Sequence, residues 1–211
     1  MFEYSLAHWS AFLAAAFLLN VSPGPDMAFI LSHTVKGGKK AGLAAMLGIW
    51  TGASCHVLLA ALGLTAIVAG SAMAFSVVKW AGVAYLLWLG VQAIRSDGGT
   101  LLVEKRGKSV SIGSVFRQGV FIDLLNPKVA TFFLAFLPQF VVEGAGPVWA
   151  QLLLHGVLII AVAAFVEPPV ILCSDRLTEK LRRSRSLRVW LDRGLGSVLI
   201  ALGVRLALTE R

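Results

Sequence analysis

Two residues of opposite charge stand in apolar sequence, each directly after a proline that breaks a helix. Asn20-Val-Ser-Pro-Gly-Pro-Asp26 carries the acid, and Asn126-Pro127-Lys128 carries the base. Their surroundings match. Leu18-Leu19-Asn20 precedes Pro25, and Asp26-Met27-Ala28-Phe29 follows it. Leu124-Leu125-Asn126 precedes Pro127, and Lys128-Val129-Ala130-Thr131 follows it. Proline suits the first turn of a helix, where its missing N–H costs nothing. An acid is favoured at that end by the helix dipole and a cation is not, so Lys128 needs another partner. A zwitterion supplies one. Its carboxylate can take the free N–H groups at the start of the second half-helix beside the Lys128 ammonium, and its own ammonium can meet Asp26. The same two charges also read as an ion pair that locks two halves of the molecule together. The residue types leave both open.

Around this pair, Asn20 and Asn126 read either as caps for broken backbone or as ligand contacts. Ser22, Pro23, Gly24 and Pro25 shape the first break, with Gly24 allowing close approach to a ligand. The expected substrate-binding set is therefore Asn20, Ser22, Pro23, Gly24, Pro25, Asp26, Asn126, Pro127 and Lys128. Asp26, Asp123 and Glu167 are the candidate proton carriers. Glu167 also reads as a solvated interfacial carboxylate paired with an arginine. His8, His33, His56 and His155 are scattered, with no metal-ligand spacing, and His56 and His155 read as hydrogen-bonded packing residues. Cys55 and Cys173 form no Cys-x-x-Cys motif and read as small buried residues. No metal or cofactor is expected. No nucleophile, base and oxyanion set is present, so the chain does not read as an enzyme.

These residues are carried by a membrane protein. The 211 residues are 57% apolar and 14% charged, with mean hydropathy +0.81, where a soluble domain is about 25% charged. From Ala41 to Val78 there is no Asp, Glu, Lys or Arg, a run too long for one span of about 20 residues. A second uncharged run covers Gly144 to Val166. The early charge is Glu3 rather than a basic cluster, so Leu6 to Val21 reads as a retained span and not a leader.

Six spans fit: Leu6–Val35 interrupted at Ser22–Pro25, Ala41–Val68, Ala72–Ile94, Ser111–Val142 interrupted at Asn126-Pro127, Pro147–Cys173, and Leu187–Leu208. Net charge is +8, and the bases cluster in three places. Lys36, Lys39 and Lys40 form the first group. Arg95, Lys105, Arg106, Lys108 and Arg117 form the second, and Arg176 to Arg193 the third. All three fall in odd-numbered loops, which share one side of a six-span protein. Basic loops stay cytoplasmic, so both termini are expected on the periplasmic side of a bacterial inner membrane. Clusters lying between spans favour anionic lipid over nucleic acid as their partner.

The halves echo each other in spans three and six as well, Leu86-Leu-Trp-Leu-Gly-Val-Gln92 against Leu199-Ile-Ala-Leu-Gly-Val-Arg205. Three spans per half is odd, so the halves lie inverted, a common transporter build. The fold expected is an all-α integral membrane protein of six helices in two inverted three-helix repeats. It forms a single domain over 1–211, with repeat one about 1–95, a polar loop about 96–110, and repeat two about 111–211. Gly48-Ile-Trp-Thr-Gly52 permits close helix approach, read as packing within the chain, with a homodimer face left open beside it. Trp9, Trp80 and Trp149 near the outer ends suit an aromatic belt.

The chain resembles the lysine-exporter superfamily, in its homoserine/threonine-exporter (RhtB-type) branch of bacterial amino-acid efflux proteins. Ser22-Pro-Gly-Pro25, Asn126-Pro-Lys128, Phe132-Phe-Leu-Ala-Phe-Leu-Pro-Gln-Phe140 and the glycine-rich stretch from Gly42 to Gly63 carry the resemblance. It implies six spans, export of small neutral or basic amino acids, and drive by the proton gradient. Glu167-Pro168-Pro169 departs from the pattern. Two other functions remain to be weighed: a membrane thiol or electron-transfer protein, which needs facing cysteines, and a metal-cation efflux protein, which needs acidic or histidine ligands.

Overall fold

The computed structural model describes residues 4–21, 24–64, 72–96, 111–174 and 184–208, and among these the chain is all-helical, without a strand. The helices are α1 (Leu6–Val21), α2 (Pro25–Leu59), α3 (Ala72–Arg95), α4 (Ile112–Leu124), α5 (Pro127–Thr131), α6 (Val148–Leu172) and α7 (Arg185–Leu208). A π-helical turn, Ala60–Leu64, extends α2. A π-helical turn, Phe132–Phe136, and a 3-10 turn, Leu137–Phe140, follow α5.

Local chemistry sets the helix starts. Ser111 caps α4, its hydroxyl accepting from the Ser114 amide. Asn126 caps α5, its Oδ1 accepting from the Lys128 amide at 3.0 Å, and Pro127 follows as the first helical residue. Gly24 precedes α2 in an extended conformation without a side-chain cap, and Pro25 opens the helix. In α6 the helix continues through Pro168 and Pro169 to Leu172, close to the expected end.

The sequence predicts a basic loop around Lys36–Lys40, but helix runs up to a single break at Gly38 (φ +75°) and resumes directly. Only glycine adopts that conformation without strain. As one rod, the 35 residues of α2 would measure about 52 Å, far more than the roughly 30 Å hydrocarbon core. They do not form one rod. A Cβ on Gly42 would overlap the Thr34 hydroxyl, although eight helical residues rise about 12 Å. The chain therefore folds back at Gly38, and α2 consists of two packed pieces.

Glycine also decides how helices meet. The second piece of α2 packs on α4, where Gly48 lies against the Phe116 carbonyl and Gly119 against that of Ala45. Gly48 and Gly52 thus pack within the chain. Gly90 of α3 and Gly196 of α7 face each other's carbonyls in the same way. The main core joins α1, α6, α7 and the 132–140 turns, with Phe12, Phe132, Phe133, Phe136 and Phe140 buried together. By length and composition Pro25–Gly63 and Val148–Leu172 are membrane-span candidates, and Ile112–Leu124 with Lys128–Phe140, bent by 55°, makes a third if taken as one. The polar loop expected over 96–110 lies outside the described residues, apart from Ser96.

Candidate functional site

Both proline breaks open onto one cavity. Asn20, Asp26, Trp50, Asp123, Lys128 and Glu167 supply its polar lining, and Met27, Ile49, Phe133 and Ile159 are among its apolar walls. Its volume is about 50 Å³, room for a few waters at about 10–15 Å³ each, so it suits a small polar molecule rather than a macromolecule.

Asn126 is the hinge of this arrangement. Its Nδ2 donates to both Asp26 carboxylate oxygens, at 2.8 and 3.0 Å, while its Oδ1 caps α5. One amide therefore satisfies the start of one half-helix and holds the acid of the other. Only 4% of Asn126 is exposed, so removing it would leave buried polar groups unpaired. Asp26 is in the first turn of α2, where the dipole favours it.

Lys128 finds its compensation in a different helix. Its Nζ donates to the Leu19 carbonyl at 3.5 Å, and Leu19 is in the last turn of α1. The final carbonyls of a helix lack partners and form its negative end. Among the described residues no ion pair joins Lys128 to Asp26. The direct lock that the sequence allowed is not formed here.

The remaining acids are buried in the same cavity. Glu167 is 6% exposed and accepts from Trp50 Nε1 at 2.7 Å, which overturns its alternative reading as a solvated interfacial carboxylate. Trp50 itself was not singled out from sequence. The available signal is that a buried indole N–H needs an acceptor. Asp123 is 1% exposed. Its backbone carbonyl accepts from His56 Nε2 at 3.2 Å, whereas its Oδ2 has no hydrogen-bond partner. Gly52 makes room for it, since a Cβ there would stand 2.8 Å from that oxygen. Asn20 Nδ2 donates to the Ala16 carbonyl at 2.8 Å and the Ile159 carbonyl at 3.4 Å, tying the end of α1 to α6.

The structure thus brings Asn20, Gly24, Pro25, Asp26, Asp123, Asn126, Lys128 and Glu167 to one region, with Pro127 opening α5. Ser22 and Pro23 lie outside the described residues.

The chain from residue 17 to residue 210 matches the family described as LysE type translocator. The chain belongs to this family. A homoserine/homoserine lactone efflux protein of Salmonella typhimurium is 31% identical over 199 residues, covering 94% of this chain and 95% of that protein. An uncharacterized membrane protein of Vibrio cholerae is 32% identical over 199 residues, covering 94% and 96%. Another, from Pseudomonas aeruginosa, is 30% identical over 203 residues, covering 94% of both chains. No solved structure matches the chain. This LysE-type chain is accordingly a membrane transporter and not an enzyme.

The thiol alternative finds no geometry in it. Both cysteines are free; Cys55 is half-buried and Cys173 exposed, so neither is the buried packing residue expected. Cys173 lies two residues after Ile171, which packs against Gly42. Cys55 stands further along α2 from Gly42 by about 20 Å of helix rise. The metal-efflux alternative lacks a ligand set, since no group of three or more His, Cys, Asp or Glu able to hold a metal occurs among the described residues. Two histidines do meet, contrary to the scattered reading: His8 and His155 share a hydrogen bond at 2.8 Å, and Trp9 stacks on His155 instead of joining a lipid-facing belt.

Proposed function

We propose that this chain is a secondary-active exporter of small amino acids or their derivatives across the bacterial inner membrane, driven by protons. One observation carries the reading. A carboxylate and an ammonium, Asp26 and Lys128, face one small cavity from the starts of two broken half-helices, linked by Asn126 rather than by an ion pair. A zwitterion needs one partner of each sign. Its ammonium meets Asp26, and its carboxylate meets Lys128 and the free N–H groups of α5. Asn20, Ser22, Pro23, Gly24, Pro25, Asn126 and Pro127 shape the site. Asp26, Asp123 and Glu167 carry protons. The named Salmonella relative, an efflux protein for homoserine and its lactone, supports a substrate of this size and charge.

The scaffold we propose is six spans in two inverted repeats, about 1–95 and about 111–211, joined by a polar loop in a single domain. Helix packing supports it. The second piece of α2 packs on α4 just as α6 packs on α1, and α3 packs on α7. Those are the pairs that an inverted repeat relates or maps onto themselves. Basic loops on the cytoplasmic side then leave both termini in the periplasm. A cysteine placed at Ser184 is expected to resist an impermeant thiol reagent in intact cells, and ready labelling there would overturn the orientation.

Vesicles loaded with a panel of labelled amino acids test the function. Transport that requires this protein, takes small amino acids and collapses when the proton gradient is dissipated is the expected result. Transport indifferent to the gradient would remove the proton from the reading.

A further inference from the structure

We propose that Glu167, held in place by Trp50, is the subsite that reads the substrate's side chain, and that it selects small amino acids whose side chain ends in a hydrogen-bond donor, a hydroxyl or an ammonium. The proposal rests on the amino-acid reading above and adds the part of the substrate by which one amino acid differs from another.

The cavity follows α6. Ile159, Ala163 and Glu167 all line it, at a spacing of four that puts them on one stripe of the helix. The stripe covers about 12 Å of helix rise. Its two ends differ. At the Ile159 end stands the end of α1, where Asn20 donates to the Ile159 carbonyl and Lys128 reaches the carbonyl of the neighbouring Leu19. At the other end Met27, the residue after Asp26, packs in one cluster with Val166 and Val170, which stand on either side of Glu167 in the chain. Lys128 is therefore at the far end of the stripe from Glu167, and Asp26 is on the Glu167 side. A zwitterion with its carboxylate at Lys128 and its ammonium at Asp26 spans the first part of this length. A side chain that continues along the stripe meets Glu167 next.

Glu167 is arranged to receive a donor there. It is deeply buried, and its Oε2 accepts from Trp50 Nε1 at 2.7 Å, the one hydrogen bond it makes among the described residues. An indole N–H only donates, so Oε2 stays an acceptor and the carboxyl is fixed with Oε1 left for the cavity. The neighbouring walls, Ile49, Ala53 and Ala163 among them, offer that oxygen nothing. A buried acceptor without a donor is costly, and a bond to a carboxylate is stronger than one between neutral groups. A hydroxyl or ammonium at the end of a short side chain supplies the donor, whereas a methyl in the same place strands the oxygen. The proton assigned to Glu167 above belongs on the same Oε1, so proton and donor occupy it in turn. If the Trp50 bond did no more than tie α2 to α6, ligands of equal length would bind alike.

The test is equilibrium binding to the purified whole chain in detergent micelles. Homoserine and diaminobutyrate end their side chains in a hydroxyl and an ammonium, and norvaline is of the same length and ends in a methyl. At least one of the first two is expected to bind about 10-fold or more tightly than norvaline, and the tighter of them names the donor. Equal binding of all three would overturn the subsite and leave the exporter reading standing; binding of none would sink both. Glu167→Met with Trp50→Phe removes the acceptor and its N–H together, and is expected to reverse the preference toward norvaline. The native preference kept in that variant, even with all affinities lowered, would overturn the subsite. Nitrogen-15 indole spectra of the unsubstituted protein give a readout that does not depend on the variant's affinity. The Trp50 signal, assigned by its loss in Trp50→Phe, is expected to shift differently with a donor-bearing ligand and with norvaline. Identical shifts at saturation would also overturn the proposal.

Discussion

At the first break α2 restarts behind Gly24, which offers no side chain to cap it; at the second, α5 restarts behind Asn126, whose amide caps the helix and reaches across to Asp26. Beyond the first break regular helix runs on to Gly38. Beyond the second it lasts only to Thr131 before the π-helical and 3-10 turns. The charges differ in kind as well. Asp26 suits the start of its own helix, while Lys128 opposes its own and is compensated at the end of α1. Two copies of one sequence pattern have thus become mutually dependent. The second break supplies the amide that orders the first, and the end of α1 supplies the carbonyl that makes Lys128 tolerable.

The sharpest way to break this comparison is to remove or exchange the charges. Asp26→Asn and Lys128→Met are each expected to weaken export about 30-fold or more, as for loss of one partner of a desolvated charge contact. Swapping them, Asp26→Lys with Lys128→Asp, is expected not to rescue. Each charge would then oppose its helix end and face the wrong end of a zwitterion. Export restored in the swapped protein at normal abundance would sink the proposed clamp. Abundance must be measured throughout, since stranding one buried charge costs about 3–5 kcal/mol.

Asn126 is the next target, because both breaks lean on it. Asn126→Ala removes the cap, worth about 1 kcal/mol, together with the hold on Asp26. Asn126→Asp keeps the cap and sets a second carboxylate within hydrogen-bonding distance of the first. Two such groups do not both ionise readily, so export by this variant is expected to be poor at neutral pH and to recover partly in acid, where one proton can be shared. A flat pH response in transport assays would show that the amide's bridge to Asp26 is dispensable.

A smaller effect is expected from the prolines taken singly. Pro25→Ala leaves Gly24 extended beside it, and Pro127→Ala leaves the Asn126 cap, so each break persists and export falls only a few-fold, as suits the loss of a pre-set dihedral worth about 0.4–1 kcal/mol. Replacing Pro23 and Pro25 together lets helix run through and is expected to abolish export while the protein still inserts. Unchanged export in that double variant would separate the break from the function.

Much of this was legible in the chain. The breaks are marked by prolines in apolar runs, and α3, α6 and α7 end within a residue or two of the expected bounds, because charged or glycine-rich stretches punctuate the apolar ones. The reversal at Gly38 was not, since one left-handed residue turns the chain without the loop that three lysines suggest. Pairings across the fold leave no spacing to read. Trp50 meets Glu167 from 117 residues away and His8 meets His155 from 147. Lys128 announced that it needed a partner, but that the end of α1 provides one depends on how the helices cross. The match of residues 17–210 to a single family agrees with the resemblance carried by the proline motifs.

The smallest change concerns the residues just before the breaks, Asn20 in the first half and Asp123 in the second. Asn20 spends its amide on the Ala16 and Ile159 carbonyls. Asp123 is more deeply placed than the half-buried Asn20, yet its Oδ2 has no partner, and Gly52 stands opposite it. A buried carboxyl oxygen left unpaired is costly as an anion and suits a group that holds a proton for part of the cycle. Asp123→Asn is nearly the same size, always neutral and unable to carry a proton. If Asp123 only fills space, both modes of transport survive. If it binds substrate, both decline together. If it carries the driving proton, gradient-driven export is lost while exchange of labelled for unlabelled substrate, which needs no net proton movement, stays within a few-fold of native, a change of under about 1 kcal/mol. We expect that last split, read by comparing counterflow with proton-driven transport in the same vesicles. Equal loss of both would return Asp123 to the substrate site and leave Asp26 and Glu167 to move the proton.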